Sequence, residues 1–269
     1  MLQEKNKKIK MAVLRNFDLS PVQYDEFETR HGFFRDLNAA LIRFMNLSDR
    51  VKVLDVGCGT GASSKQMLES IKGCRVWGLD NSSPMLKIAR SNIGVSERLD
   101  LVLGDASRLT EYFDFLFDAV VFSASIFLVP DYQDSLRQVQ VILKSGGVVG
   151  ITFMDGIYSS DGLNLFALAD SEANEGVSLK KPVDIEEFRH FFSDTFPCNR
   201  SRNQDFSSSE ELLRQFFSIP AMSSGLFPGF EYEERVRKVG KLFDHMPKTD
   251  VIFRWVLMVG VTSPSVISE

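Results

Sequence analysis

Residues 51–64 read VKVLDVGCGTGASS. A short run of branched apolar residues, Val51–Val56, passes straight into Gly57-Cys58-Gly59-Thr60-Gly61, and a helical pattern follows over Ala62–Ile71. The run has the length and composition of a buried strand. Glycines in the turn let the backbone take tight dihedrals and come close to a ligand. Strand, glycine turn and helix in that order put the ligand beyond the carboxyl end of a parallel strand, at a topological switch point. The spacing is G-x-G-x-G, not the G-x-G-x-x-G of dinucleotide enzymes, and no Lys-Ser/Thr pair opens the helix as a nucleoside triphosphate loop requires. Asp55, just ahead of the turn, can receive the ammonium group of an amino-acid-bearing ligand. Its competing role is to accept backbone N–H bonds and stiffen the turn.

Downstream the same texture repeats. Strands are predicted over Arg75–Leu79, Leu99–Leu103, Asp118–Ser123 and Gly147–Phe153, with helices over Ser83–Ile93 and Gln133–Leu143. Strand–helix alternation implies a parallel sheet covered by helices. The second strand ends in WGLDNSSPM, so Asp80 stands at a strand's carboxyl end, where its carboxylate can accept both hydroxyls of a ribose. Asp80, Asn81 or Ser82 can equally cap the next helix. The third strand runs into LVLGDASRL. Asp105 there can accept an adenine amino group while the Ala106 N–H meets the ring; a loop cap is the alternative.

The flanks carry less pattern. Pro21–Asn46 is amphipathic at helical spacing through Phe33, Phe34, Leu37, Leu41 and Phe44. The basic start, MLQEKNKKIK, reads as a solvated tail. Residues 155–182 read as irregular or weakly helical. Asp184–Phe196 reads as a helix with Asp184 as N-cap and Glu187 at the capping-box position. A polar edge strand is expected over Cys198–Phe206, helices over Ser207–Phe217 and Tyr232–His245, and a long strand over Val251–Val261. No linker divides the chain, so one domain is expected in four parts: a helical extension (1–50), a cofactor-binding core (51–153), a substrate cap with edge strand (154–250) and a last strand (251–262).

Composition bounds the function classes. Hydrophobic residues make up 44% and charged residues 25% of 269, as in ordinary globular proteins. A formal net charge of −5 gives no general attraction to phosphates, which argues against a nucleic-acid-wide surface. Cys58, Cys74 and Cys198 form no zinc spacing and no disulfide framework, which predicts no metal and fits a reducing cytoplasm. No apolar run reaches bilayer-spanning length.

Taken together, VLDVGCGTG (53–61), GLDNSSPMLKIAR (78–90), GDASRL (104–109), FDAVVFSASIFLVPD (117–131) and VILKSGGVVGITF (141–153) resemble the class I S-adenosylmethionine-dependent methyltransferases, in particular the small-molecule branch with the ubiquinone and menaquinone enzymes. The resemblance implies a Rossmann-like, doubly wound α/β fold with seven strands, the last antiparallel. It implies S-adenosylmethionine as cofactor and S-adenosylhomocysteine as product. Carried over residue by residue, Asp55, Gly57 and Gly59, with Cys58, Thr60 and Gly61 between and after them, would cradle the methionine part. Asp80 and Asn81 would hold the ribose, Met85 would pack near the adenine, and Asp105 and Ala106 would read its edge. Ser123 would lie beside the methyl group, and Tyr24 would close over the cofactor.

The expected reaction is methyl transfer to an oxygen, nitrogen or carbon of a small molecule. Strand four runs into Ser123-Ala124-Ser125-Ile126, without the Asn/Asp-Pro-Pro-aromatic motif of amino-methylating nucleic-acid enzymes. Catalytic candidates are His31, ahead of an amphipathic helix, and Tyr158, after strand five. His190, His245 and these two read as easily as packing or surface residues. The aromatic cap, with Phe191, Phe192, Phe216, Phe217, Phe227 and Phe230, reads mostly as core, with a few rings able to build a pocket for a hydrophobic or aromatic acceptor. Two other functions use the same motifs. One is an RNA or protein methyltransferase using Arg200, Arg202, Arg235, Arg237, Lys238 and Lys241. The other is a regulatory protein that senses the cofactor without transferring methyl.

Overall fold

A computed structural model describes residues 2–178 and 183–262. Its seven strands are β1 (Lys52–Val56), β2 (Arg75–Asp80), β3 (Leu99–Leu103), β4 (Phe117–Phe122), β5 (Leu143–Ser159), β6 (Cys198–Ser208) and β7 (Val251–Val261). They form one sheet in the order β3-β2-β1-β4-β5-β7-β6. The first five run parallel; β7 enters antiparallel between β5 and β6. The expected α/β architecture, with its antiparallel last strand, is the one observed.

Helices α1 (Leu2–Asp18), α2 (Pro21–His31) and α3 (Phe33–Met45) precede the sheet. Those linking the strands are α4 (Ala62–Ser70), α5 (Ser83–Ile93) and α6 (Tyr132–Ile142). After β5 come α7 (Leu165–Ala173), α8 (Ile185–Thr195), α9 (Glu210–Ser218), α10 (Pro220–Leu226) and α11 (Tyr232–Asp244). Two glycines reveal that both faces of the sheet are covered. A Cβ at Gly150 of β5 would strike Met45 of α3, whereas one at Gly260 of β7 would strike Phe192 and Phe196 beside α8. Gly260 is paired with Val149. Val149 and Gly150 are consecutive and so point to opposite faces. Hence α3 lies on one face and α8 on the other.

Several expectations need correction. The basic start is not a free tail: residues 2–18 form α1, which packs against α5 and α10. Its inner side presents Asn6, Lys10, Val13 and Phe17, spaced four, three and four apart, as one helical face requires. The amphipathic stretch from Pro21 is two helices, because Gly32 takes a left-handed φ of 59° and turns the chain between α2 and α3. Strand β5 runs six residues beyond Phe153; Gly156–Ser159 continue the ladder along Val251–Arg254 after a register shift at Met154/Gly156. Residues 165–173, within the stretch read as irregular or weakly helical, form a helix, and residues 220–226 are helical where no helix was expected. Residues 179–182 of the stretch read as irregular lie outside the described residues.

Candidate cofactor site

The parallel strands end in a cleft whose empty space, counted to its open mouth, is about 1000 Å³. It sits where the strand order turns at β1, between β2 and β4, the usual ligand position in an open α/β sheet. The glycine loop forms its floor. Gly57 and Gly59 have φ of +73° and +53°. At Gly57 a Cβ would lie 2.5 Å from the Ser125 Cβ, so the loop presses on the β4 end there. At Gly59 a Cβ would meet nothing within 4 Å and would project into space a ligand can use.

Asp80 ends β2 inside the cleft. Its Oδ2 accepts the Gly59 N–H at 2.8 Å and its Oδ1 the Ser82 N–H at 2.9 Å. The carboxylate therefore braces the loop, while each oxygen retains a lone pair for a further donor. Burial pushes the Asp80 carboxyl above its ordinary pKa, against the pull of the Ser82, Gly59 and Asn81 N–H groups. The cap of α5 is Ser82, whose hydroxyl accepts the Met85 N–H, so Asp80 is not the capping residue.

Asp105 follows β3 and faces the cleft with Ala106. Burial alone would raise its pKa, but the Ser107 N–H and hydroxyl and the Lys10 ammonium overcome this and hold it below the ordinary value. Lys10 was not among the expected site residues. It reaches from α1 to Asp105 at 3.2 Å, Asp131 at 2.8 Å and the Ser107 hydroxyl at 2.6 Å. Val13 and Phe17, one and two turns on, cover the same cleft.

Tyr24 lines the cleft, stacked on Phe34 with ring centres 5.3 Å apart. Burial, and then the nearby Glu28 and Asp80 carboxylates, raise its hydroxyl pKa well above 10. Ser123 lines the cleft and donates its hydroxyl to Asn38 Oδ1. Cys58, Thr60, Asn81 and Met85 also contribute to the wall. Burial, with Asp80 and Asp55 nearby, drives the Cys58 thiol pKa well above 9, which suits a packing residue rather than a nucleophile.

Four expected residues lie elsewhere. Asp55 sits behind the wall, fully buried. Its Oδ2 accepts the hydroxyls of Ser63 at 2.5 Å and Ser64 at 2.6 Å, and its Oδ1 has no hydrogen-bond partner among the described residues. Gly61 packs against Ala89 and Ile93 of α5 rather than facing the cleft. His31 lies outside, its Nε2 3.1 Å from Gln215 Oε1. Tyr158 also lies outside, its hydroxyl donating to Asp155 and its ring facing Arg254.

Most of the aromatic cap is packed. Phe216 packs on Phe27, Phe33, Phe34, Phe217 and Phe253, with ring centres 5.0–6.0 Å apart. Phe188, Phe192, Phe217 and Phe227 are likewise buried. These cap rings pack into a core, and none of them lines the cleft. The supposed basic cluster is dispersed as well. Arg235 is buried and donates to Asn16, Lys238 and Lys241 pair with Glu175, and Arg237 pairs with Glu234. Arg200 and Arg202 lie over the Phe44 ring on the far edge strand.

Residues 53–147 match the family model described as a methyltransferase domain. That segment runs from β1 into β5 and contains the whole floor of the cleft. The segment is similar to methyltransferase domains. Among curated proteins, a demethylmenaquinone methyltransferase of Staphylococcus epidermidis is 37% identical over 107 residues, covering 39% of this chain and 44% of that protein. One from Staphylococcus aureus is 31% identical over 147 residues, covering 54% and 61%. The chain thus spans about half the length of the curated relatives it matches. A solved Haemonchus contortus phosphoethanolamine N-methyltransferase 2, bound to phosphomonomethylethanolamine and S-adenosylhomocysteine, superposes with a TM-score of 0.55 at 19% identity. It covers 85% of this chain and 53% of its own, and the likeness is one of fold. The matched segment accounts for β1–β4 and their loops; α1–α3 and the elements after β5 lie outside it.

Proposed function

We propose that the protein transfers a methyl group from S-adenosylmethionine to an oxygen, nitrogen or carbon of a small-molecule acceptor. The observation that carries this is Asp80 at the end of β2, braced by Gly59, beside Asp105 and Ala106 at the end of β3. Two carboxylates and a backbone N–H at that spacing along the strand ends suit a ribose and an adenine. Gly59, with open space where its Cβ would be, leaves room for the chain that follows the ribose. The demethylmenaquinone methyltransferases it resembles support the same class.

When bound, S-adenosylmethionine supplies a methyl group already activated on a sulfonium. The protein's residues then have to orient and to exclude water. Orientation of this kind is worth roughly 7–11 kcal/mol of barrier in favourable cases. Asp80 fixes the ribose, Asp105 and the Ala106 N–H fix the adenine, and Met85 packs beside it. Tyr24, Phe34 and Phe17 close the other wall against solvent. Neither His31 nor Tyr158 reaches the cleft, so the catalytic contribution assigned here is alignment, not proton abstraction by these two. In this reading residues 51–153 form the floor of the cofactor site, the helical extension at 1–50 closes the cleft, and residues 154–250 back that extension through α10. Free, largely buried thiols support a reducing compartment, the cytoplasm.

The test is calorimetric titration with S-adenosylmethionine and S-adenosylhomocysteine, for the wild type and Asp80→Ala. Binding in the wild type that is lost in the variant is expected. A well-folded wild type that binds neither would refute the reading.

A further inference from the structure

The cleft has an order along the strand ends. Asp105 follows β3, Asp80 ends β2, the glycine loop follows β1 and Ser123 follows β4. A cofactor with its adenine at Asp105 and its ribose at Asp80 therefore carries its amino-acid end over β1 and β4. That end bears a carboxylate, which needs donors. The described cation lining the cleft, Lys10, is at the opposite end and is tied to Asp105 and Asp131. The loop's own N–H groups are largely committed. Those of Gly57 and Cys58 go to Leu79 O, that of Gly59 to Asp80 and that of Gly61 to Cys58 O. On the β4 side, the Ala124 N–H goes to Thr152 and the Ser125 hydroxyl to Val56 O.

Asn38 of α3 is different. It is only 3% exposed, yet it lines the cleft. Its Oδ1 is held by the Ser123 hydroxyl, which fixes the carboxamide plane. Its N–H2 group has no acceptor among the described residues. A nearly buried amide, held at its oxygen and free at its nitrogen, is a donor kept for something the cleft receives.

We propose that the Asn38 carboxamide, clamped by Ser123, receives the α-carboxylate of the cofactor's amino-acid end. This rests on the S-adenosylmethionine reading above. It makes Asn38 a binding residue supplied by the helical extension, outside the matched domain. The amino-acid end is then recognised by a neutral donor in place of an arginine or lysine.

The experiment is titration of the full chain with two ligands: S-adenosylhomocysteine, and 5′-methylthioadenosine, which keeps the adenosine and sulfur but lacks the amino acid. Wild type, Asn38→Leu and Asn38→Asp are compared. In Asn38→Leu, S-adenosylhomocysteine should bind about 10- to 100-fold more weakly, the value of one hydrogen bond to a charged group. Asn38→Asp should lose more, because it sets a carboxylate against a carboxylate. Methylthioadenosine should bind all three proteins alike, which also establishes that the variants fold. Unchanged S-adenosylhomocysteine affinity in Asn38→Leu would overturn the proposal. So would an equal loss for both ligands, or tighter binding by Asn38→Asp, which would mean that this position faces the ammonium instead. A wild type that binds neither ligand would refute the cofactor reading itself.

Discussion

Lys10 of α1 and Asp105 at the end of β3, 95 positions apart, meet across the mouth of the cleft at 3.2 Å. The same ammonium reaches Asp131 at 2.8 Å, and these acids, outweighing the cost of burial, raise its pKa. The contact ties the first helix to the carboxylate assigned to the adenine. It is a fastening as much as a wall: both side chains are partly exposed, and pairs of this kind contribute only about 1 kcal/mol or less.

Lys10→Met keeps the unbranched apolar stem of the side chain and removes the charged head. It should leave the fold intact and release α1, so that the amides of residues 6–17 exchange faster with deuterium. It should also free Asp105 Oδ2 and raise the association rate of S-adenosylhomocysteine severalfold in stopped-flow fluorescence. Unaltered exchange in α1 would show that the fastening lies elsewhere, at Asn16–Arg235 or at Ser20, whose hydroxyl accepts the Ala221 N–H.

Phe216 separates a core from a pocket. It is 1% exposed and touches five other rings. Phe216→Ala should cost about 3–5 kcal/mol of stability, as buried Phe truncations do, read from urea midpoints. At temperatures where the variant remains folded, its affinity for S-adenosylhomocysteine should match that of the wild type. If the loss of stability were small and a hydrophobic acceptor then bound, the cap would be a pocket after all.

What the sequence conveyed was local. The glycine loop, Asp80 and Asp105 are each set by a strand and the turn after it, within a dozen residues, so spacing alone puts them at the strand ends, where the cleft opens. The helix at Ser83–Ile93 was legible at both ends because Ser82 caps it and Gly94 ends it. Lys10 and Asn38 were not legible as site residues, because what makes them so is a partner 95 or 85 positions away. The first helix was misread as a tail because its inner face mixes Asn6 and Lys10 with Val13 and Phe17, and only the acids of the cleft rim explain a lysine there. The phenylalanines of the cap gave no such guide, because composition is the same for rings that line a cavity and rings that fill one.

Gly57 and Gly59 should respond differently to the same small change. Both have positive φ, so an alanine is strained at either, by about 1 kcal/mol. At Gly57 the new methyl would also meet the Ser125 Cβ at 2.5 Å, so Gly57→Ala should destabilise by a further 1–3 kcal/mol or so. At Gly59 the methyl enters open cleft. Gly59→Ala should therefore melt only a few degrees below the wild type while losing S-adenosylhomocysteine affinity, and Gly59→Val should lose more. Thermal melts beside titrations check both halves. Equal melting losses at the two sites would mean that Gly59 is packed rather than open.

Asp55 makes a prediction about pH. It is fully buried, with two serine hydroxyls on one oxygen and none on the other. Burial, only partly offset by Ser63 and Ser64, raises its pKa from 3.8 to about 6. The folded state thus holds this proton where the unfolded chain has already released it. The stabilisation is complete below the unfolded pKa and is lost as pH rises through about 6, so between these values the slope of stability with pH from this group is negative. Such a shift corresponds to roughly 3 kcal/mol. Other carboxylates respond over the same range, so the comparison is with Asp55→Asn, which stays neutral throughout. The stability of the wild type minus that of Asp55→Asn, from urea denaturation at pH 4.5 and pH 8, should be smaller at pH 8. A difference that does not change with pH would mean that Asp55 titrates normally, and that a donor from outside the described contacts satisfies its second oxygen.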